Sequence, residues 1–122
     1  MRKVIFDSSF LIAVVESPTT WFEDIAESIG KFQPVLLSCV REELDRLASG
    51  QGKKARSARV ALELAAGFAG GRCGAASVDD EIVSHALTEG ALVATTDSGL
   101  LSSLGAAHVL AVTLRGGRVF VA

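Results

Sequence analysis

The chain has 122 residues, of which 49% are hydrophobic, and a mean hydropathy of +0.41. It is long and apolar enough to bury its own core as one domain over residues 1–122, without stapling by disulfides or metals. Its net charge of −2 gives no bulk indication of a nucleic-acid partner, so any such role must come from where the charges lie.

The first apolar run, Val4-Ile5-Phe6, is β-branched and aromatic and is predicted to be a buried strand. It ends on Asp7, the first acid of the chain. Buried parallel strands are apolar on both faces. A carboxylate at the carboxyl end of one is costly unless a metal, a cap or a partner compensates it. That end of the strands is also where open α/β sheets bind ligands.

Ser8-Ser9 is predicted to cap a short helix from Phe10 to Val15. Pro18 breaks the chain, and Thr20 is predicted to cap a helix from Trp21 to Ile29 that Gly30 closes. Pro34 precedes a second apolar run, Val35-Leu36-Leu37, and Ser38 then caps a helix from Val40 to Ala48. After Gly52 an Ala/Leu-rich stretch reads as helix to about Phe68. Gly67, Gly70, Gly71 and Gly74 mark a loop, and Ala75 to Val78 is a weak strand leading into Asp79.

Asp79-Asp80-Glu81 opens a helix to Thr88, with Glu89-Gly90 as its stop. Leu92 to Thr95 reads as a strand, followed by Thr96-Asp97-Ser98 and a short helix to Leu104. His108 to Leu114 is a further strand; Arg115 to Arg118 is a tight turn into an antiparallel edge strand, Val119 to Val121. Alternating strands and helices predict an α/β fold: a three-layer α/β/α sandwich with a mostly parallel, Rossmann-like sheet.

In that topology Asp7, Glu43, Asp79 and Asp97 follow four successive strands and leave one edge of the sheet. Each has an ordinary explanation: Asp79 and Asp97 as helix caps, Glu43 as a solvent-facing helix residue. Capping does not explain acids at all four crossings. Carboxylates held close together repel, and the usual resolution is a divalent cation with oxygen ligands. Without His or Cys beside them, Mg²⁺ or Mn²⁺ fits better than zinc. Cys39 and Cys73 match no C-x2-C spacing and read as small buried or half-buried residues rather than a disulfide. His85, inside a predicted helix, and His108, near a strand start, read as structural or surface residues.

Val4-Ile5-Phe6-Asp7-Ser8-Ser9, Val40-Arg41-Glu42-Glu43-Leu44, Val78-Asp79-Asp80-Glu81-Ile82 and Val93-Ala94-Thr95-Thr96-Asp97 resemble, in order, the four acidic motifs of PIN-domain ribonucleases. The resemblance spans nearly the whole chain. Its closing segment, Leu114 to Phe120, is similar to the ends of small archaeal PIN proteins of the ribosomal-RNA-processing kind. The resemblance implies a metal-dependent endoribonuclease in which Asp7, Glu43, Asp79 and Asp97 hold one or two Mg²⁺ or Mn²⁺ ions. It implies hydrolysis leaving a 5′-phosphate and a 3′-hydroxyl, with Ser8, Ser9 and Thr96 orienting carboxylates or water. Asp80 stands as the alternative to Asp79. Many relatives carry another acid where this chain has Gly99, which bears on the number of ions.

RNA, the implied substrate and partner, needs cations near the acids. Lys53, Lys54, Arg56 and Arg59 lie in an acid-free window and are the first candidates for phosphate contacts, with Arg115 and Arg118 behind them. The window also reads as a solvated helix face. With six Phe, one Trp and no Tyr, base reading by a stacking platform is not expected. Two further readings stay open: a toxin-type PIN ribonuclease held by an antitoxin, and a catalytically weak domain serving RNA binding or ribosome assembly. Relatives are commonly dimers, so a homodimer is an expected partner state. Met1-Arg2-Lys3 and three apolar residues do not make a secretory signal, and no run approaches the roughly 18 apolar residues of a membrane span. The expected location is the cytoplasm, with no membrane partner.

Overall fold

The computed structural model describes residues 1–122. Six strands form one sheet: β1 (Arg2–Phe6), β2 (Phe32–Leu37), β3 (Ala69–Gly71), β4 (Leu92–Ala94), β5 (Ala111–Arg115) and β6 (Arg118–Val121). Six helices connect them: α1 (Ser8–Glu16), α2 (Trp21–Ile29), α3 (Ser38–Ala48), α4 (Lys53–Leu64), α5 (Val78–Glu89) and α6 (Ser98–Ala106). The order across the sheet is β3-β2-β1-β4-β5-β6. All neighbours are parallel except β5 and β6, which pair antiparallel with Arg115 opposite Arg118.

This order makes the site. The chain steps outward from β1 to β3, then returns to lay β4 on the other side of β1. Right-handed crossovers in the two directions put helices on opposite faces, giving the α/β/α layering expected from the sequence. α1, α3 and α4 pack together, whereas α5 and α6 pack on each other and on β1, β4 and β5. The β1–β4 boundary is the switch point, where loops from adjacent strands part and leave a crevice.

One cluster of 29 buried hydrophobic residues forms the core, including all of Val4 to Phe6, Val35 to Leu37 and Leu92 to Ala94. Phe6 is its aromatic centre, with ring centroids 5.5 Å from Phe10, 5.6 Å from Trp21 and 5.3 Å from Phe68. No helix is long and apolar enough to cross a membrane.

Several local expectations are corrected. The third strand is Ala69–Gly71, inside the expected glycine loop, and not Ala75 to Val78. Glycine is a poor strand former, but pairing with β2 imposes the extended backbone. A Cβ at Gly71 would come within 2.6 Å of Leu37 Cδ2, so any larger residue there would force that buried side chain to shift. The helix expected to reach Phe68 ends at Leu64. The last parallel strand begins at Ala111 rather than His108, whose φ of +59° belongs to the turn before it. Ser8 and Ser9 lie inside the first turn of α1 and do not cap it. Thr20 does not cap α2; its hydroxyl donates to the Asp24 carboxylate. Cys39 and Cys73 are joined as a disulfide, with Cα atoms 5.8 Å apart. Spacing hides this pairing because it depends on β3 lying beside β2.

Candidate functional site

Asp7 sits at the step from β1 into α1. Its backbone N–H donates to the carbonyl of Ala94 at the end of β4 (2.9 Å), which fixes it at the switch point. The residue is 6% exposed. Its carboxylate is held from one side: Oδ2 accepts from Ser9 Oγ at 2.6 Å and from Thr95 Oγ1 at 2.7 Å. Hydrogen bonds to an ionised carboxylate are charge-assisted and stronger than neutral ones. Oδ1 takes no protein hydrogen bond, so half of the group remains available.

The other acids arrive on different elements. Glu43 lies on α3, and its Oε1 accepts a short hydrogen bond from Ser8 Oγ. Asp97 occupies the N-cap of α6, where Oδ2 accepts from the Leu100 N–H at 2.8 Å. Asp79 is in the first turn of α5; the cap is Ser77, whose hydroxyl accepts from the Asp80 N–H at 3.2 Å. Capping, the ordinary explanation for Asp79, thus falls to a neighbour.

Asp7, Ser8, Ser9, Glu43, Asp79 and Asp97 line one cavity of about 170 Å³, which has no hydrophobic wall residue. Four carboxylates from four crossings therefore face one space. The electrostatic consequence shows at Asp79. Its pKa is raised above the ordinary 3.8 by partial burial first, then by the charges of Asp7, Asp97, Glu43 and Asp80. Asp80 adds charge but does not line the cavity.

This donor set suits a hard divalent cation. Every available ligand atom is oxygen, three of the acids keep one oxygen pinned by a protein donor, and their repulsion is of the kind positive charge relieves. Gly99 stands against Asp97, where a Cβ would lie 3.2 Å from Oδ2. A larger residue there would crowd the cap.

Thr95 is the residue that sequence reading missed. It is fully buried; its hydroxyl donates to Asp7 and accepts the Asp97 N–H at 3.0 Å, tying the first and last acids together. Thr96, the expected supporting residue, contributes its backbone N–H to Ser9 Oγ (3.0 Å) and not its hydroxyl. The signal was the position of Thr95: a hydroxyl residue closing a buried strand two places before an acid.

A larger hollow of about 540 Å³ adjoins the cavity, sharing Ser8, Ser9 and Glu43 with it and continuing along Ile12, Ala13, Glu16, Arg46, Leu47, Lys54 and Thr96. Of the basic window only Lys54 lines it, joined by Arg46, which sequence reading did not select. Arg59 is turned back onto the Ala48 carbonyl at 2.6 Å, and Lys53 and Arg56 are exposed on α4. Arg115 lies over the Phe120 ring, and Arg118 lines a separate hollow with Asp24 and Glu27. Neither lines the acid cavity.

A family model described as a PIN like domain matches residues 4–117. Among solved structures, the PIN domain endonuclease Utp24 superposes with a TM-score of 0.79 at 25% identity, covering 98% of this chain and 90% of that one. PAE2754 from Pyrobaculum aerophilum shares the fold at a TM-score of 0.55 and 17% identity, covering 83% of this chain and 78% of that one. A search of curated proteins gives no match. With a six-stranded α/β/α fold and a family match across all four acidic crossings, the chain belongs to the PIN-like domain family.

Proposed function

We propose that this protein is a divalent-metal-dependent endoribonuclease that hydrolyses phosphodiester bonds in RNA. One observation carries the reading: Asp7, Glu43, Asp79 and Asp97 converge on a single cavity walled otherwise by serines. Family membership and the likeness to the endonuclease Utp24 support it.

Asp7, Glu43, Asp79 and Asp97 would hold one or two Mg²⁺ or Mn²⁺ ions. A cation bound there supplies positive charge that acidifies water and offsets charge on the phosphodiester. The protein's own share is positional. Ser9 and Thr95 hold Asp7, Ser8 holds Glu43 and the α6 N-terminus holds Asp97, so the carboxylates need little reorganisation on binding. Lys54 and Arg46 supply cations along the adjoining hollow, where they would receive backbone phosphates beside the scissile bond. Hydrolysis consumes one water per bond and leaves a 5′-phosphate and a 3′-hydroxyl.

The proposed substrates are single-stranded or structured RNA, with ribosomal precursor RNA as the first to try. Purified protein incubated with end-labelled RNA should cleave when Mn²⁺ or Mg²⁺ is present. EDTA should stop the reaction and fresh Mn²⁺ restore it. Cleavage that continues undiminished in EDTA contradicts the proposal.

A further inference from the structure

A second cluster of ligating side chains lies outside the acid cavity. Cys39 is the second residue of α3, Cys73 follows β3, and Glu81 and His85 sit one turn apart on α5. One ligand atom from each of Cys73, Glu81 and His85 lies within 4.8 Å of the others, and Cys39 is bonded to Cys73. All four residues are half-buried.

The surroundings hold this group in place. The Cys39 N–H points at Cys73 Sγ (3.3 Å), the Cys73 N–H donates to Ser38 Oγ (3.0 Å), and the Gly74 N–H donates to Glu81 Oε1 (2.7 Å). His85 presents an unusual arrangement. Nε2 is 2.9 Å from the Arg72 carbonyl and 4.0 Å from Glu81 Oε1, while Nδ1 is 3.3 Å from Glu89 Oε2. Both ring nitrogens thus face oxygen acceptors, which an imidazolium satisfies with its two N–H groups and a neutral imidazole cannot. A cation on Nε2 would take the place of the Arg72 carbonyl and leave Nδ1–H donating to Glu89, the carboxylate support that metal-bound histidines commonly have.

We propose that Cys39, Cys73, Glu81 and His85, with the disulfide reduced and both cysteines bound as thiolates, form a structural centre for a zinc-class divalent cation, separate from the acid cavity. Two sulfurs, one imidazole and one carboxylate are a zinc set, whereas the acid cavity offers only hard oxygens. Zinc–ligand bonds of about 2.0–2.3 Å in a tetrahedron place ligand atoms about 3.3–3.8 Å apart. Cys73, Glu81 and His85 already offer atoms within 4.8 Å of one another, and Cys39, bonded to Cys73, would be the fourth ligand once the disulfide is reduced.

The disulfide and the metal centre are alternatives. A dithiol reductant gives two electrons and two protons to the Cys39–Cys73 bond and becomes a disulfide itself. The two cysteine thiols then release their protons to solvent as the cation binds. The disulfide ties α3 to the segment after β3, and the metal centre would extend that tie to α5, close to two of the cavity's acids. Glu43 lies one turn beyond Cys39, and Asp79 two residues before Glu81.

Cobalt substitution tests this. The full chain is reduced under anaerobic conditions, its two thiols are counted after denaturation, and the folded protein is titrated with Co²⁺. One equivalent should give a thiolate-to-cobalt charge-transfer band with tetrahedral visible bands, and Zn²⁺ should abolish both. Cys73→Ser should lose the charge-transfer band, and Glu89→Gln should bind Zn²⁺ about 10- to 100-fold more weakly. Asp7→Asn should keep the cobalt spectrum. Absence of the charge-transfer band in folded, reduced wild-type protein overturns the proposal. So does its persistence in Cys73→Ser, and its loss in folded Asp7→Asn shows that the two sites are not separate.

Discussion

Thr95 donates its hydroxyl to Oδ2 of Asp7 across 2.7 Å, although 88 residues separate the two in the chain. The Thr95 hydroxyl oxygen in turn accepts the Asp97 N–H at 3.0 Å. One buried hydroxyl therefore sets the orientation of the acid after β1 and of the acid after β4. Thr95→Val keeps the shape and removes both contacts. A hydrogen bond to a charged group contributes about 1.5–3 kcal/mol, so urea unfolding should show a loss of that order, and RNA cleavage should fall with it. Thr95→Ser should recover most of both. Unchanged stability in Thr95→Val would mean the contact contributes nothing.

Asp79 carries the electrostatic strain of the cavity. Its folded-state pKa is raised, mainly by burial and then by Asp7, Asp97 and Glu43. Between the ordinary value of 3.8 and the raised one, the folded chain binds more protons than the unfolded chain. The stabilising effect of that proton is present below 3.8 and is lost as pH rises through the raised pKa. Metal-free protein should therefore melt higher in Asp79→Asn than in wild type at neutral pH, and the difference should shrink in acid. Added Mn²⁺ should reverse the order by stabilising wild type more. Calorimetric scans across pH, with and without Mn²⁺, read both effects.

The basic residues divide by position. Lys54 and Arg46 line the hollow beside the acids, whereas Arg115 and Arg118 face elsewhere. Each phosphate contact removed should lower the salt slope of RNA binding by about one. Lys54→Ala with Arg46→Ala should weaken binding and flatten the slope, and Arg115→Ala with Arg118→Ala should do neither. Filter binding over a range of salt concentrations separates the pairs. Equal slopes for both double variants would remove the hollow from the RNA path.

Gly71 tests the packing beneath the site. A Cβ there meets Leu37 Cδ2 at 2.6 Å, and Leu37 is fully buried. Overpacking a core costs about 1–3 kcal/mol. Gly71→Ala should lower the denaturation midpoint accordingly, whereas Gly70→Ala, where a Cβ meets nothing within 4 Å, should have little steric effect.

The legible part of this molecule lay where local pattern and topology agree. Val4-Ile5-Phe6 ending on Asp7 announces a buried strand with a misplaced charge, and parallel topology carries the other three acids to the same edge. β3 was illegible because Ala69-Gly70-Gly71 has no strand character of its own; its conformation comes from β2. The Cys39–Cys73 contact depends on that hidden strand and was lost with it. Thr95 reads as the end of a strand; its place two residues before Asp97 is the one local sign, and its bond to an acid 88 residues away comes from the β1–β4 pairing. Arg46 is hidden among the acids of α3, although the fold places it on the same hollow as Lys54.

The central claim is that the four convergent carboxylates form one metal-dependent RNA-cleaving site. Asp7→Asn tests it most directly, because Asp7 is the buried member and asparagine preserves its size. Single-turnover cleavage of end-labelled RNA in Mn²⁺ should fall at least about 100-fold, a loss of about 2.7 kcal/mol in barrier lowering, while circular dichroism stays that of wild type. Asp7→Asn protein that is folded and fully active would contradict the account.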